Sequence, residues 1–343
     1  MQPSQDESNN SMVRWYIDTR GLTATTSSLP LLETLQPSDQ ESAKRFYHLK
    51  DKHMSLASNL LKYLFIHRTC RIPWNQITIS RTPAPHHRPY FNPADITQTA
   101  ATDKPIPSIE FNVSHQASLV ALAGTILPPP SNNDSTAPTN VITNPNPTST
   151  PSSSIPQVGI DITCVDERRN TAHTRQALEE FVSIFSEVFS QRELDTIKSL
   201  HGAPSHIGND EDGLVEYGFR LFYTYWALKE AYIKMTGEAL LAPWLKELVF
   251  TNVVAPEPAG RDLQTLGEPY TGVKTWLYGK EVDDVRVEVI AFEKNYLIAT
   301  AARGGRIGRG SGGGGADPWQ QLQKIDIEED VRPCATGVCQ CLK

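Results

Sequence analysis

No run in the 343 residues approaches the ~20 consecutive apolar side chains that a membrane-spanning helix needs. The opening "MQPSQDESNNSMVRWY" has no basic stretch followed by an apolar one, so no signal peptide is expected. Cysteine is scarce: five residues, an odd number with three crowded between 334 and 341, do not make a secreted disulfide framework. Positive charge is also short, with 32 Lys and Arg against 39 Asp and Glu, a net charge of −7. That balance argues against a general nucleic-acid binder and leaves any basic site local. The phosphate loop G-x-x-x-x-G-K-[ST], the nucleophile elbow G-x-S-x-G and the zinc motif H-E-x-x-H are all missing. With no built-in nucleophile and base, an attacking group would have to come from a substrate. A cytoplasmic protein without membrane attachment is the expectation.

Apolar residues make up 39% of the chain and six tryptophans are present, enough for a substantial core. The length suggests two packed subdomains or one enlarged domain. Residues 1–12 are expected to be disordered, and 13–127 to form a first α+β lobe. Within it "RWYIDTR" alternates as a strand, and Ser38 and Glu41 have capping-box spacing for a helix start. A second helix is expected from near Asp51 to just before Pro73, then strands at "QITIS", "SIEFNVS" and "SLVALAG". Residues 128–156 are rich in Pro, Ser, Thr and Asn and carry one charge, Asp134; such a segment cannot offset its ordering entropy by burial and reads as a linker.

A second α+β lobe is expected over 157–302: the strand "VGIDIT", a helical stretch at 175–200, a polar loop at 201–215, the helix "FYTYWALKEAYIKMTG", and four further strands. Paired strands in "IEFNVSHQASLVALAG" and "VEVIAFEKNYLIATAA" echo one another, as two similar lobes would. Residues 303–343 read as a tail. Its "GRGSGG" fits G-x-G-x-x-G but lacks the following helix, so a flexible segment is expected. "CATGVCQC" offers three thiols, one short of a structural zinc set, and a free or modified tail is the expectation over metal.

Four stretches hold residues suited to chemistry. Asp161 lies between two isoleucines in "VGIDI", as an outward carboxylate or as a metal ligand at a strand end. Trp226, Glu230 and Lys234 fall at i, i+4 and i+8 on one helix face, either an ordinary surface pair or two charges facing a charged ligand. "FNVSH" supplies Asn112, Ser114 and His115, short donors that could meet a phosphate. Arg45, Arg81 and Arg88 are the basic positions nearby in sequence.

In this order the four stretches resemble the Sfp-type 4′-phosphopantetheinyl transferases, most of all the broad-specificity fungal enzymes of that type. The family pattern (V/I)G(V/I)D appears as "VGIDI" (158–162), and W-x-x-K-E-x-apolar-x-K as "WALKEAYIK" (226–234). The resemblance covers roughly 14–302. It implies a monomeric enzyme of two α+β lobes related by a pseudo-twofold, with coenzyme A in the cleft between them. The phosphopantetheine arm would pass to a serine of an apo carrier protein, leaving adenosine 3′,5′-bisphosphate. The implied clients are polyketide synthases, nonribosomal peptide synthetases and aminoadipate reductase.

By the same resemblance Asp161 and Glu230 would hold Mg²⁺ (Mn²⁺ as a substitute), and Lys234 would neutralise a phosphate oxygen. Arg45, Arg81 and His115 would hold the 3′-phosphate, with Arg88, Pro89, Asn112 and Ser114 beside the nucleotide. Glu230 or a metal-bound water would take the serine proton. The charges agree: at 4 Å and an effective dielectric of 20, each carboxylate would repel a diphosphate charge by ~4 kcal/mol, and a divalent ion between them reverses the sign. Thr163 stands where many bacterial members carry a third carboxylate, and Arg88 where lysine is usual. The alternative reading is a catalytically silent scaffold that binds coenzyme A or carriers.

Overall fold

The computed structural model describes residues 11–84, 86–96, 105–128, 155–166, 173–200, 202–238, 242–260, 262, 264–309 and 316–342. The expected linker lies almost wholly outside the described residues, as do positions 1–10 and most of the glycine run at 308–313. The chain forms two compact units, one of the residues up to Val158 with those from Arg303 onward, the other of Gly159–Ala302.

The first unit begins with β1 (Met12–Asp18), in which Met12 already pairs with Thr125 of a neighbouring strand, so the sheet starts inside the segment expected to be disordered. A short helix, α1 (Arg20–Thr25), follows. The next, α2 (Pro37–Lys44), starts on Pro37 with Gln36 as its N-cap; no side chain caps it, so the Ser38–Glu41 box is not used. Proline at the first helical position already has the required φ, which fixes the start two residues earlier. The long helix α3 (Leu49–Cys70) ends where Arg71 turns left-handed at φ 55°, two residues before Pro73.

"QITIS" yields only its last residue to a two-residue strand, β2 (Ser80–Arg81), paired with β3 (Pro89–Tyr90). The reason is local. The Gln36 amide takes both backbone groups of Ile79, donating to its carbonyl at 3.0 Å and accepting from its N–H at 3.2 Å, where a neighbouring strand would otherwise bond. β4 (Ile109–Gln116) and β5 (Leu119–Ile126) form a hairpin; Ala117 and Ser118 both have positive φ, the two-residue turn that matches strand twist. The Phe65 ring of α3 packs where a side chain on Gly124 would stand, which seats the helix on β5.

The second unit starts along β6 (Gln157–Cys164). The expected 175–200 helix is two, α4 (Arg175–Ser183) and α5 (Gln191–Ser199). Ser190 and Glu193 make a reciprocal capping box that starts the second one. Helix α6 (Glu211–Thr236) begins inside the polar loop expected up to 215, with Glu211 and Asp212 favouring its N-terminal dipole, and stops at Gly237, φ 77°. A small sheet of β7 (Leu248–Thr251), β8 (Lys274–Leu277) and β9 (Lys280–Glu281) precedes the hairpin β10 (Val285–Phe292) and β11 (Tyr296–Arg303).

The last residues return to the first unit instead of trailing as a tail. β12 (Trp319–Lys324) pairs parallel with β1, and Ile325, Ile327, Val331 and Cys334 enter the core under α3, ending in the helical turn α7 (Arg332–Ala335). The main sheets share an order. In the first unit it is β1-β5-β4, extended by β12; in the second, β6-β11-β10. In each, the opening strand sits beside the last strand of a hairpin, with helices between in sequence. This is the repeat that the paired-strand echo suggests.

Candidate active site

Strand β6 and helix α6 bring the acidic residues of the second unit together. Gly159 and Asp161 are two apart on β6 and so face the same side. A Cβ on Gly159 would lie 2.1 Å from the Ala231 carbonyl oxygen and 2.4 Å from the Met235 nitrogen. Only glycine lets the strand approach α6 this closely, and the approach puts Asp161 within reach of the helix. Lys234 Nζ donates to Asp161 Oδ1 at 2.5 Å and lies 4.0 Å from Glu230 Oε2. Both carboxylates therefore converge on one ammonium. The Thr163 hydroxyl donates to Asp161 Oδ2 at 2.8 Å and holds that carboxylate in place.

Glu230 is electrostatically unsettled. Its Oε1 is buried with no hydrogen-bond partner. Burial pushes its carboxyl up to about 7, Lys234 pulling it down and Asp161 pushing it further up. An orphaned buried oxygen next to a second carboxylate is a fit for a hard divalent cation, whose remaining positions water or a phosphate would fill.

Lys229, the neighbour of Glu230, goes the other way. About 100° per residue separates adjacent side chains on a helix, and Lys229 is buried, 1% exposed. Its Nζ donates to the carbonyls of Leu245 (3.1 Å) and Leu248 and pairs with Glu193 at 3.0 Å. Glu193 in turn accepts from the Ser190 and Phe250 backbone nitrogens, each at 2.9 Å. Burial lowers the Lys229 pKa, with Glu193 opposing the shift. This network locks the rotation of α6 and so aims Glu230 and Lys234 toward Asp161. Phe222 and Trp226, which head the same helix stripe, belong to an aromatic cluster with Phe181, Phe185 and Phe189. One face of the 181–189 segment is therefore core, with Val182 and Phe189 buried and Phe181, Phe185 and Val188 half-buried, whereas Ile184 is 74% exposed.

The basic and short polar residues lie on the first unit. Arg81 pairs across β2–β3 with Pro89, is half-exposed, and stands 4.0 Å from the buried Asp39 of α2. Arg45 caps the C-terminal end of α2 and is exposed, against the Phe46 ring. Arg88 is already engaged, in an ion pair with Glu110 and with a 3.4 Å bond to the Val158 carbonyl. Asn112 and Ser114 are buried on the β4 face that also carries Glu110, whereas His115 alternates to the Phe111 face and is exposed. Phe111 packs on Phe65 of α3, so that face is the core side.

Comparison with known proteins identifies the family. Residues 24–127 match the 4′-phosphopantetheinyl transferase N-terminal family, and residues 157–300 the 4′-phosphopantetheinyl transferase superfamily. The chain belongs to the 4′-phosphopantetheinyl transferases. It is 63% identical over 359 residues to 4′-phosphopantetheinyl transferase A of Aspergillus fumigatus, covering 100% of this chain and 99% of that one. It is 56% identical over 348 residues to 4′-phosphopantetheinyl transferase NpgA of Emericella nidulans, 96% of each. Identity is 25% over 272 residues to the L-aminoadipate-semialdehyde dehydrogenase-phosphopantetheinyl transferase of Rattus norvegicus, 79% of this chain and 68% of the relative. As a phosphopantetheinyl transferase the chain is an enzyme that modifies carrier proteins, with coenzyme A as donor. Three features of this transferase's site escape sequence reasoning: the inward direction of Lys229, its partner Glu193 and the steric role of Gly159. The only signals were the Ser190–Glu193 capping spacing and the glycine two residues before Asp161.

Proposed function

We propose that Asp161 and Glu230 hold one divalent cation, Mg²⁺ with Mn²⁺ as a substitute, against the diphosphate of coenzyme A. What supports this is their convergence on Lys234 with Glu230 Oε1 left unpartnered. The bound ion would supply charge neutralisation at the diphosphate as the bond to phosphorus breaks. Lys234, now shared between the two carboxylates, is positioned to release toward a phosphate oxygen and offset the charge of the departing adenosine 3′,5′-bisphosphate. Thr163 keeps the Asp161 carboxylate oriented throughout. The 3′-phosphate is bound by Arg45, Arg81 and His115, and Arg88, Pro89, Asn112 and Ser114 lie on the nucleotide side.

The clients are carrier domains of polyketide synthases, nonribosomal peptide synthetases and aminoadipate reductase, modified by a monomeric cytoplasmic enzyme. No described helix is long and apolar enough to cross a membrane. Against a silent scaffold stands the bond by which Thr163 orients the Asp161 carboxylate, a support that binding alone would not need.

The test is a carrier mass. With coenzyme A and Mg²⁺, an apo carrier domain should gain one phosphopantetheine, and chelation should abolish the gain; coenzyme A binding without any gain would return the scaffold reading. Lys234→Ala should lower kcat by about 100-fold and change coenzyme A affinity far less, because its contact strengthens as charge develops. An effect confined to affinity would overturn that role. Among the arginines, Arg81→Ala should raise the KM for coenzyme A by about tenfold. Arg88→Ala should raise it less, because Glu110 already takes up the Arg88 charge. Dephospho-coenzyme A, which lacks the 3′-phosphate, should erase the Arg81 effect, and an effect that survived would move Arg81 out of the phosphate set.

A further inference from the structure

The three cysteines near the C-terminus do not stand alone. Cys334 sits in α7, Cys339 and Cys341 follow it, and all three close on His67 in the last turn of α3. One ligand atom from each of the four side chains lies within 4.8 Å of the others. Cys334 Sγ and Cys341 Sγ are 3.7 Å apart, and His67 Nε2 is 3.1 Å from Cys339 Sγ. A disulfide would need about 2.05 Å between sulfurs, and all three cysteines are free. A tetrahedral zinc ion with bonds of about 2.3 Å to sulfur would hold its sulfurs about 3.8 Å apart.

The surroundings are arranged as a metal ligand set needs. His67 Nδ1 lies 2.7 Å from the Ile72 carbonyl oxygen, which can only accept, so Nδ1 carries the proton and Nε2 presents its lone pair to the sulfurs. Arg68, the next residue on α3, hydrogen-bonds the Asp330 carbonyl at 3.1 Å and pairs with the Asp330 carboxylate at 3.4 Å, which sets its guanidinium beside Cys334. Its charge offsets the net −1 of a zinc ion held by three thiolates and a neutral imidazole. The Val338 and Cys339 nitrogens both bond the Pro333 carbonyl, at 2.9 and 3.0 Å, and Gly337 takes φ 77°, folding the C-x-x-x-x-C-x-C segment back on itself.

We propose that His67, Cys334, Cys339 and Cys341 form a structural zinc site that clamps the C-terminal segment to α3. Three soft thiolates and an imidazole select zinc over Mg²⁺ or Ca²⁺, and four protein ligands leave no open position for a reaction. The clamp joins residues 272 positions apart in sequence and holds β12, the parallel edge strand on β1, from its far end. It is chemically separate from the oxygen-donor pair Asp161 and Glu230.

The test is metal content of the full-length, tag-free chain produced in zinc-supplemented medium. One zinc per chain is expected by elemental analysis, unchanged in Glu230→Gln and lost in the Cys339→Ser/Cys341→Ser double variant. Cobalt exchanged into the wild-type chain should give the intense visible bands of a tetrahedral thiolate complex. Stripping the zinc should lower Tm by roughly 5–10 °C. A wild-type chain holding less than about a tenth of a zinc, far from the full site a closed ligand set predicts, would overturn the proposal. So would a double variant that keeps its zinc, or a Cys334–Cys341 disulfide seen by mass. Should the double variant fail to fold, the wild-type metal content and the cobalt spectrum decide alone.

Discussion

Glu230→Gln lowers the rate of carrier modification by about 1000-fold at saturating coenzyme A and Mg²⁺, and raises the Tm of the metal-free protein. The two halves of this result have one cause. Glu230 Oε1 is buried without a partner, and burial holds the carboxyl near pH 7, far above its ordinary value of 4.5. A carboxylic acid with a raised folded-state pKa binds its proton more tightly folded than unfolded, so stability falls as pH rises from about 4.5 to about 7. Above pH 7 the metal-free enzyme bears the whole cost of that buried charge. Glutamine removes the charge and keeps the shape, so the gain in Tm should appear at pH 8 and vanish at pH 4.5. The same sign governs metal loading: below pH 7 the ion must displace a proton, and apparent affinity should drop up to about tenfold per unit. A glutamine variant that is less stable at pH 8, or one that transfers at the parental rate, would contradict the assignment.

Lys229→Ala destabilises the protein by about 3–5 kcal/mol. Glu193, 0% exposed, would be left as a buried carboxylate without its cation, and the carbonyls of Leu245 and Leu248 would lose their donor. Thermal unfolding should show a Tm lower by roughly 10 °C. Combining Lys229→Met with Glu193→Gln should restore part of the loss, because glutamine keeps the cap on Ser190 without a charge. A parental Tm for the alanine variant would show that the pair does not fix α6. The charged residues in "FYTYWALKEAYIKMTG" thus divide by direction: Lys229 enters the core, and Glu230 and Lys234 face Asp161.

What sequence shows here follows the range of the forces involved. The transferase family is legible because "VGIDI" and "WALKEAYIK" are short and contiguous, and their chemistry does not depend on distant residues to be recognised. Strands β4, β5, β10 and β11 are legible from alternation and turn chemistry. The break between α4 and α5 could have been read at Ser190 and Glu193, but the run of phenylalanines obscured it. "QITIS" misleads because Gln36, 43 residues upstream, takes the Ile79 backbone groups that a strand would use. The direction of Lys229 depends on Glu193 and two carbonyls, none within helical spacing of it. The C-terminal cysteines were one ligand short only because His67 lies 272 residues before Cys339. Strand β12 is likewise a parallel pairing across nearly the whole chain, which local pattern does not show.

Counting bound Mn²⁺ by electron paramagnetic resonance, with coenzyme A present, tests the central assignment most directly. The wild-type enzyme should bind one Mn²⁺ that Mg²⁺ displaces, and Asp161→Asn and Glu230→Gln should each weaken that binding by about 100-fold. Binding that survives both substitutions unchanged would mean that the two carboxylates do not share an ion.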